Sequence, residues 1–262
     1  MDKLTESDIK EYCENFYGYG NINSDILVVG LEEGFGIHLE NEKSFSKKVS
    51  YVLESLRRDK NNTVDFLELH KEFAPEQIKK IEDGKEFSPF WIRLVSRVIM
   101  GINEKKINNS PSDVVEYFKN VVVKNYALLE FGPLPCTSLD TWKYKEYECT
   151  RNIYELNERK NYIEWIEPLR IKKIKDFIET NNYKAVLFCG KSYRSQWEKI
   201  IDTSSEKLSQ IIFEKSNSKR LQIEKIKKDG IGYYLIPQPG DYGITNDFYD
   251  WVGCTIKENI NK

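Results

Sequence analysis

A chain of 262 residues with 40% hydrophobic and 13% aromatic content carries enough apolar mass for a full core, and its length suits one domain. Forty Lys and Arg against 42 Asp and Glu leave a formal charge of -2, which argues against gripping nucleic acid by overall electrostatics and leaves only a local basic face. Five scattered cysteines (Cys13, Cys136, Cys149, Cys189, Cys254) without a C-x-x-C pair support neither a disulfide framework nor a zinc site, and no apolar stretch approaches the roughly 20 residues of a membrane span.

Residues 5 to 15 read as a short helix opened by Thr5 or Ser7, followed by an aromatic and glycine loop, Phe16-Tyr-Gly-Tyr-Gly20. Ile26 to Val29 is a short β-branched run of the kind buried on both faces of a parallel sheet. Gly30, Gly34 and Gly36 bracket the next turn, which sets Glu32 and Glu33 beyond the carboxyl end of that strand, where open α/β sheets bind ligands. Ordinary solvated acids on a strand-to-helix turn are the plainer reading of the same segment.

Helical patterns follow at about 42 to 58, 75 to 82, 89 to 103 and 111 to 121. Within the third of these, Ser88 is a helix cap, Pro89 suits the first helical position, and apolar residues recur at helical spacing to Met100. The second strand is Asn125 to Phe131. It is expected to end at Gly132-Pro-Leu-Pro135, because proline cannot continue a sheet interior. A helix at about 167 to 181 precedes the third strand, Ala185 to Cys189, and Gly190-Lys-Ser-Tyr-Arg turns into another helix. A hairpin around Ser216-Asn-Ser218, a fourth strand from Gly232 to Ile236, and a final helix from about Asn246 to Glu258 complete the chain.

Strands alternating with helices predict a three-layer α/β/α sandwich over a central, mainly parallel four-stranded sheet. Right-handed crossovers would put all four strand ends on one rim. The chain reads as a single domain, residues 1 to 262, with a helical insertion at about 40 to 122. Basic residues cluster at Lys191 to Lys199, with Arg194, and at Lys219, Arg220, Lys225, Lys227 and Lys228; solvated faces are the bland reading of both. His38 and His70 are the only histidines and lie in no metal-ligand spacing.

Four loops would converge on the rim: Glu32-Glu33-Gly34-Phe35, Glu130-Phe131-Gly132-Pro133, Gly190-Lys191-Ser192 and Pro237-Gln238-Pro239-Gly240. In order and content they resemble the uracil-DNA glycosylase superfamily over most of the chain. Residues 16 to 36 and 238 to 251 look most like its less characterised bacterial and phage branches. The resemblance implies excision of a base flipped out of DNA into a pocket, where a carboxylate near C1′ steadies the sugar cation and orients water.

Carried over position by position, Glu32 falls where the family holds its water-positioning Asp or Asn, and Glu33 replaces the usual proline. Gln238 stands in place of the histidine of H-P-S. It can donate to a departing base but cannot titrate. Glu130 aligns with the asparagine that reads uracil; an ionised carboxylate accepts without donating, so it suits the exocyclic amine of a cytosine rather than O4 of uracil. Phe35 or Phe131 would stack on the base, against core packing as the alternative. Lys191, Ser192, Tyr193, Arg194 and Gly240 would hold DNA phosphates, against capping, turn and surface roles.

The resulting expectation is a metal-independent, cofactor-free DNA glycosylase for a modified pyrimidine, modified cytosine before uracil, in phage defence or DNA repair. It would act as a cytoplasmic monomer on DNA, without a membrane partner or metal; the opening Met1-Asp-Lys-Leu-Thr-Glu lacks the basic-then-apolar order of a signal peptide. Two other readings stay open: a catalytically degenerate binder of DNA, nucleotide or protein, and a sugar-phosphate hydrolase whose Glu32 and Glu33 hold a cation.

Overall fold

The four core strands read from the sequence lie side by side in one sheet, the two strands of the expected hairpin extend it on one flank, and two further strands extend it on the other. The computed structural model describes residues 4–34, 41–59, 62–83, 94–104, 110–136, 142–213, 221–237 and 244–260. Within these, the strands are β1 (Gly18–Gly20), β2 (Ile26–Gly34), β3 (Thr63–Val64), β4 (Ala127–Cys136), β5 (Ala185–Cys189), β6 (Ser209–Phe213), β7 (Leu221–Lys228) and β8 (Ile231–Ile236). Their spatial order is β3-β1-β4-β2-β5-β8-β7-β6.

The middle, β4-β2-β5-β8, is parallel throughout, whereas β1 runs antiparallel to β4 and the β6–β7 hairpin adds two antiparallel strands beyond β8. The sheet is therefore mixed and eight-stranded, not the four-stranded one expected. The α/β class stands. Neither Gly18-Tyr-Gly20 nor Thr63-Val64 offers an apolar run, so the flanking pair β1 and β3 is invisible to pattern reading. The insertion between β2 and β4 is likewise not helical alone, since it supplies β3.

The rim departs from expectation in both of its central strands. β4 does not stop at its prolines but runs through Gly132-Pro-Leu-Pro-Cys136, beside a β2 that likewise runs through Glu32 and Glu33 to Gly34. Glu32 pairs with Gly132, and a register shift intervenes before Gly34 pairs with Cys136. Proline is admissible there because β1 accompanies β4 only from Ala127 to Leu129, leaving the later residues at a local edge where a missing N–H breaks no ladder. Tyrosine hydroxyls replace the absent strand: Tyr12 donates to Pro133 O (3.2 Å), Tyr144 donates to Pro135 O (2.8 Å), and Tyr162 accepts from Leu134 N (3.2 Å).

Helices cover both faces. One face carries α1 (Glu6–Asn15), α2 (Glu42–Asp59), α3 (Phe66–Phe73), α4 (Pro75–Glu82), α5 (Ser96–Ile102), α6 (Pro111–Tyr117) and, at the chain's far end, α10 (Asn246–Ile260). After α6 the chain passes through one π-helical turn, Phe118–Val122, and a short α7 (Val123–Asn125) before entering β4. The opposite face is covered by the later half of α8 (Arg159–Thr180) and by α9 (Arg194–Ile201). Helix α8 begins eight residues before the expected start and contains Pro168 in its interior. Its buried stripe Tyr162, Ile166, Arg170, Ile174, Ile178 recurs every four residues and holds the helix to the sheet.

Close backbone approach fixes the C-terminal helix. Gly101 of α5 and Gly253 of α10 face each other so tightly that a Cβ on Gly253 would lie 2.4 Å from Val98 O. Arg97, 3% exposed, clamps the same crossing by donating to both carboxylate oxygens of Asp250 at 3.0 and 2.9 Å.

At the other end of the chain, Thr5 and Asp8 form a reciprocal capping box on α1. The Thr5 hydroxyl and amide, with a smaller contribution from Arg57, hold the Asp8 carboxyl below its ordinary value of 3.8. A depressed carboxyl contributes stability above its unfolded pKa and loses it as pH falls through the folded one. Thr5→Ala is therefore expected to lower stability by about 1 kcal/mol at neutral pH. The gap to wild type should shrink below about pH 4, read by urea denaturation at pH 7 and pH 3.

Candidate functional site

Strand order alone marks a crevice. The chain leaves β2 toward β4 and leaves β5 toward β8, so the connections part between β2 and β5, the topological switch point where open α/β sheets take ligands at the carboxyl ends. Three of the expected loops border this rim.

Gly30 pairs with Glu130 across β2 and β4, and Val29 pairs with Phe188, which brings Gly30 level with Cys189; Cys189 in turn pairs with Ile236. By strand alternation Glu130, Cys189 and Ile236 face the same side of the sheet as Leu128, and Gly30 contributes no side chain between the carboxylate and the thiol. Glu130 is 2% exposed and Cys189 fully buried. Burial first, and then the charge of Glu130, push the Cys189 thiol far up, so it stays protonated and is no nucleophile.

Phe131, the next residue of β4, faces the other way. It packs edge-on against Tyr193 and Trp197, with ring centroids 5.5 and 5.3 Å away, inside the core under α9. The expectation that Glu130 and Phe131 touch one base is thus corrected by the pleat: neighbours in a strand point to opposite faces.

The third loop is set by Gly190, whose φ of 95° favours glycine; its N–H donates to Ile236 O and its carbonyl accepts from the Trp197 indole at 2.8 Å. Lys191, Ser192 and Tyr193 form a 3-10 turn leading into α9, with Ser192 exposed. Arg194 is taken up by carboxylates. It donates to Glu198 (2.8 Å) and to both oxygens of Glu224 on β7, a residue 2% exposed, while the Lys191 amine lies 3.5 Å from Glu224. The basic turn is neutralised at its base by an acid that sequence reading did not single out.

Sequence reading also missed Arg170. Its side chain is fully buried in α8 and its guanidinium donates to three backbone carbonyls: Phe131 O at 2.9 Å, Phe16 O at 3.0 Å, and Glu130 O. The cation also lies 4.5 Å from the Tyr17 ring centroid. Burial lowers its pKa from the usual value, yet the three carbonyls replace its lost hydration. Arg170 thus fixes the backbone of Glu130 at the rim. The one signal in the sequence is an arginine where the i+4 stripe of α8 otherwise carries apolar or aromatic residues.

Of the remaining candidates, Glu32 and Glu33 are placed by their backbone at the end of β2, and their side chains lie outside the described atoms. Phe35, His38, Gln238 and Gly240 fall outside the described residues. His70 belongs to α3, where its ring stacks 3.9 Å from that of Phe66 and Nδ1 donates to Phe66 O. Among the described residues no group of three His, Cys, Asp or Glu side chains is arranged to hold a metal, and no helix is long and apolar enough to cross a membrane. Comparison with protein-family models, with curated proteins and with solved structures finds no match for this chain.

Proposed function

We propose that the protein is a DNA glycosylase that hydrolyses the N-glycosidic bond of a flipped-out pyrimidine, with a modified cytosine preferred to uracil. The observation that carries this reading is the buried Glu130, held beside Gly30 at the carboxyl end of the parallel strands. A carboxylate recessed next to a residue without a side chain suits a flat ring laid over the glycine with its exocyclic amine toward the acid. The order of the strand-end motifs along the chain, which resembles that of uracil-DNA glycosylases, supports the same reading.

In this scheme Glu32 supports positive charge at C1′ and orients the attacking water, and Gln238 donates to the departing base. Glu33 adds negative potential on the sugar side. Lys191, Ser192, Tyr193 and Gly240 border the DNA backbone, with Arg194 as the ion-paired brace of the turn rather than a free phosphate ligand. Phe131 has no stacking role, and Phe35 is the aromatic candidate.

The test is to incubate the protein with duplexes containing uracil, cytosine, and a series of 5-modified cytosines, then score abasic sites by alkaline cleavage. Release of a modified cytosine ahead of uracil is the expected result. Release of uracil alone removes the cytosine preference, and duplex binding without any release supports a non-catalytic binder.

A further inference from the structure

A second hollow opens at the opposite end of the sheet, where β5 and β8 begin and α10 ends. It encloses about 320 Å³, and among the described residues its lining includes three lysines, Lys184, Lys225 and Lys227, and no carboxylate. Its floor is Gly232 and the ring of Tyr234, packed so closely that a Cβ at Gly232 would come within 2.9 Å of that ring. Tyr234 is 2% exposed, lines the hollow, and makes no hydrogen bond through its hydroxyl to any described residue. The hydroxyl is not sealed in the core but opens onto the hollow, where water or an entering acceptor can take its hydrogen bond. Burial pushes this phenol up to about 12, which keeps it protonated and able to donate.

The lysines are available to the same group. Lys227 is exposed and has no ion pair among the described residues. Lys225 donates to the Asn259 side chain at the end of α10, leaving two of its three N–H groups. Lys184 pairs with Asp25 at 3.1 Å, but both side chains are at least half exposed, and exposed pairs of this kind are weak and exchangeable. The carbonyl end of α10 opposes an anion here, an effect of about half a charge against three full ones.

We propose that this hollow binds the terminal phosphate of a small ligand, either inorganic phosphate or a phosphomonoester of mononucleotide size. Three ammonium groups match a phosphate dianion, and the recessed hydroxyl adds a directed donor. Its depth favours a small ligand over a duplex, whose backbone phosphates lie on a convex surface and do not reach a hydroxyl so nearly buried. The site is separate from the rim proposed for base excision and does not depend on it.

Calorimetric titration of the full chain with inorganic phosphate, deoxycytidine 5′-monophosphate and a 12-base-pair duplex tests it. One or both small ligands should bind: phosphate alone or equally marks free phosphate as the ligand, and tighter monophosphate binding marks a phosphomonoester. Lys225→Gln with Lys227→Gln should weaken that binding about tenfold or more, and Tyr234→Phe about three- to tenfold. Tyr234→Phe should leave the melting temperature unchanged or higher, since its hydroxyl has no protein partner to lose. Absence of binding by both small ligands at millimolar concentration, affinity unmoved in both variants, or binding confined to the duplex would each overturn the proposal.

Discussion

Replacing Arg170 by methionine is expected to lower stability by about 3–5 kcal/mol, the largest single effect anticipated for any described residue. Methionine keeps much of the stem and spares the fold a buried cation, which on its own favours the variant. Against this, three carbonyls, of Phe16, Glu130 and Phe131, lose their donor in a place water does not reach. Each such acceptor left bare costs about 1–3 kcal/mol, so the loss outweighs the relief. Arg170→Lys should fall between wild type and Arg170→Met, because one ammonium does not span three acceptors in a planar fork. Urea denaturation of the three proteins measures the order directly. Stability of Arg170→Met within about 1 kcal/mol of wild type would show that the carbonyls relax to other donors.

The second large effect concerns catalysis. On the glycosylase reading, Glu32→Gln should reduce base release by about 10²–10⁴-fold, the usual contribution of a positioned general base, while leaving binding to an abasic-site analogue duplex intact. Glu130→Gln should behave differently. An amide donates as well as accepts, so the variant should gain on O4 of uracil and lose on the exocyclic amine of cytosine. The ratio of the two should shift by about 1–3 kcal/mol, roughly five- to 150-fold. Single-turnover release from matched uracil and modified-cytosine duplexes separates the roles. Loss of both activities in equal measure in Glu130→Gln would assign Glu130 to scaffold support rather than to base reading.

How much of this was legible in the sequence follows from what each element needs. The parallel strands β2, β5 and β8 are β-branched or aromatic runs bounded by turn residues, and the expected bounds of β5, Ala185 to Cys189, are the observed ones. Thr5 was recognisable as a cap, and α10 begins where expected, at Asn246. What escaped depends on partners remote in the chain. Gly18-Tyr-Gly20 is a strand only because β4 pairs with it, and the prolines of β4 are admitted only because β1 stops short. Arg194 reads as a free cation until β7 brings Glu224 beneath it from 30 residues away. At the site, the position of Glu130 near a strand end is legible, whereas the choice between stacking and core packing for Phe131 falls to packing only once the pleat and α9 are in place. Arg170 stands out in the sequence only as a cation in an otherwise apolar and aromatic i+4 stripe, since its partners, backbone carbonyls of β4 and of Phe16, have no sequence signature.

Whether Glu130 and Gly30 form a base pocket is decided by diffusing free cytosine, 5-methylcytosine and uracil into crystals of the protein. A cytosine-type ring should lie over Gly30, between Glu130 and Cys189, with its exocyclic amine within hydrogen-bond distance of the Glu130 carboxylate. A base seated elsewhere on the molecule, or uracil bound at Gly30 while both cytosines are refused, would contradict that placement.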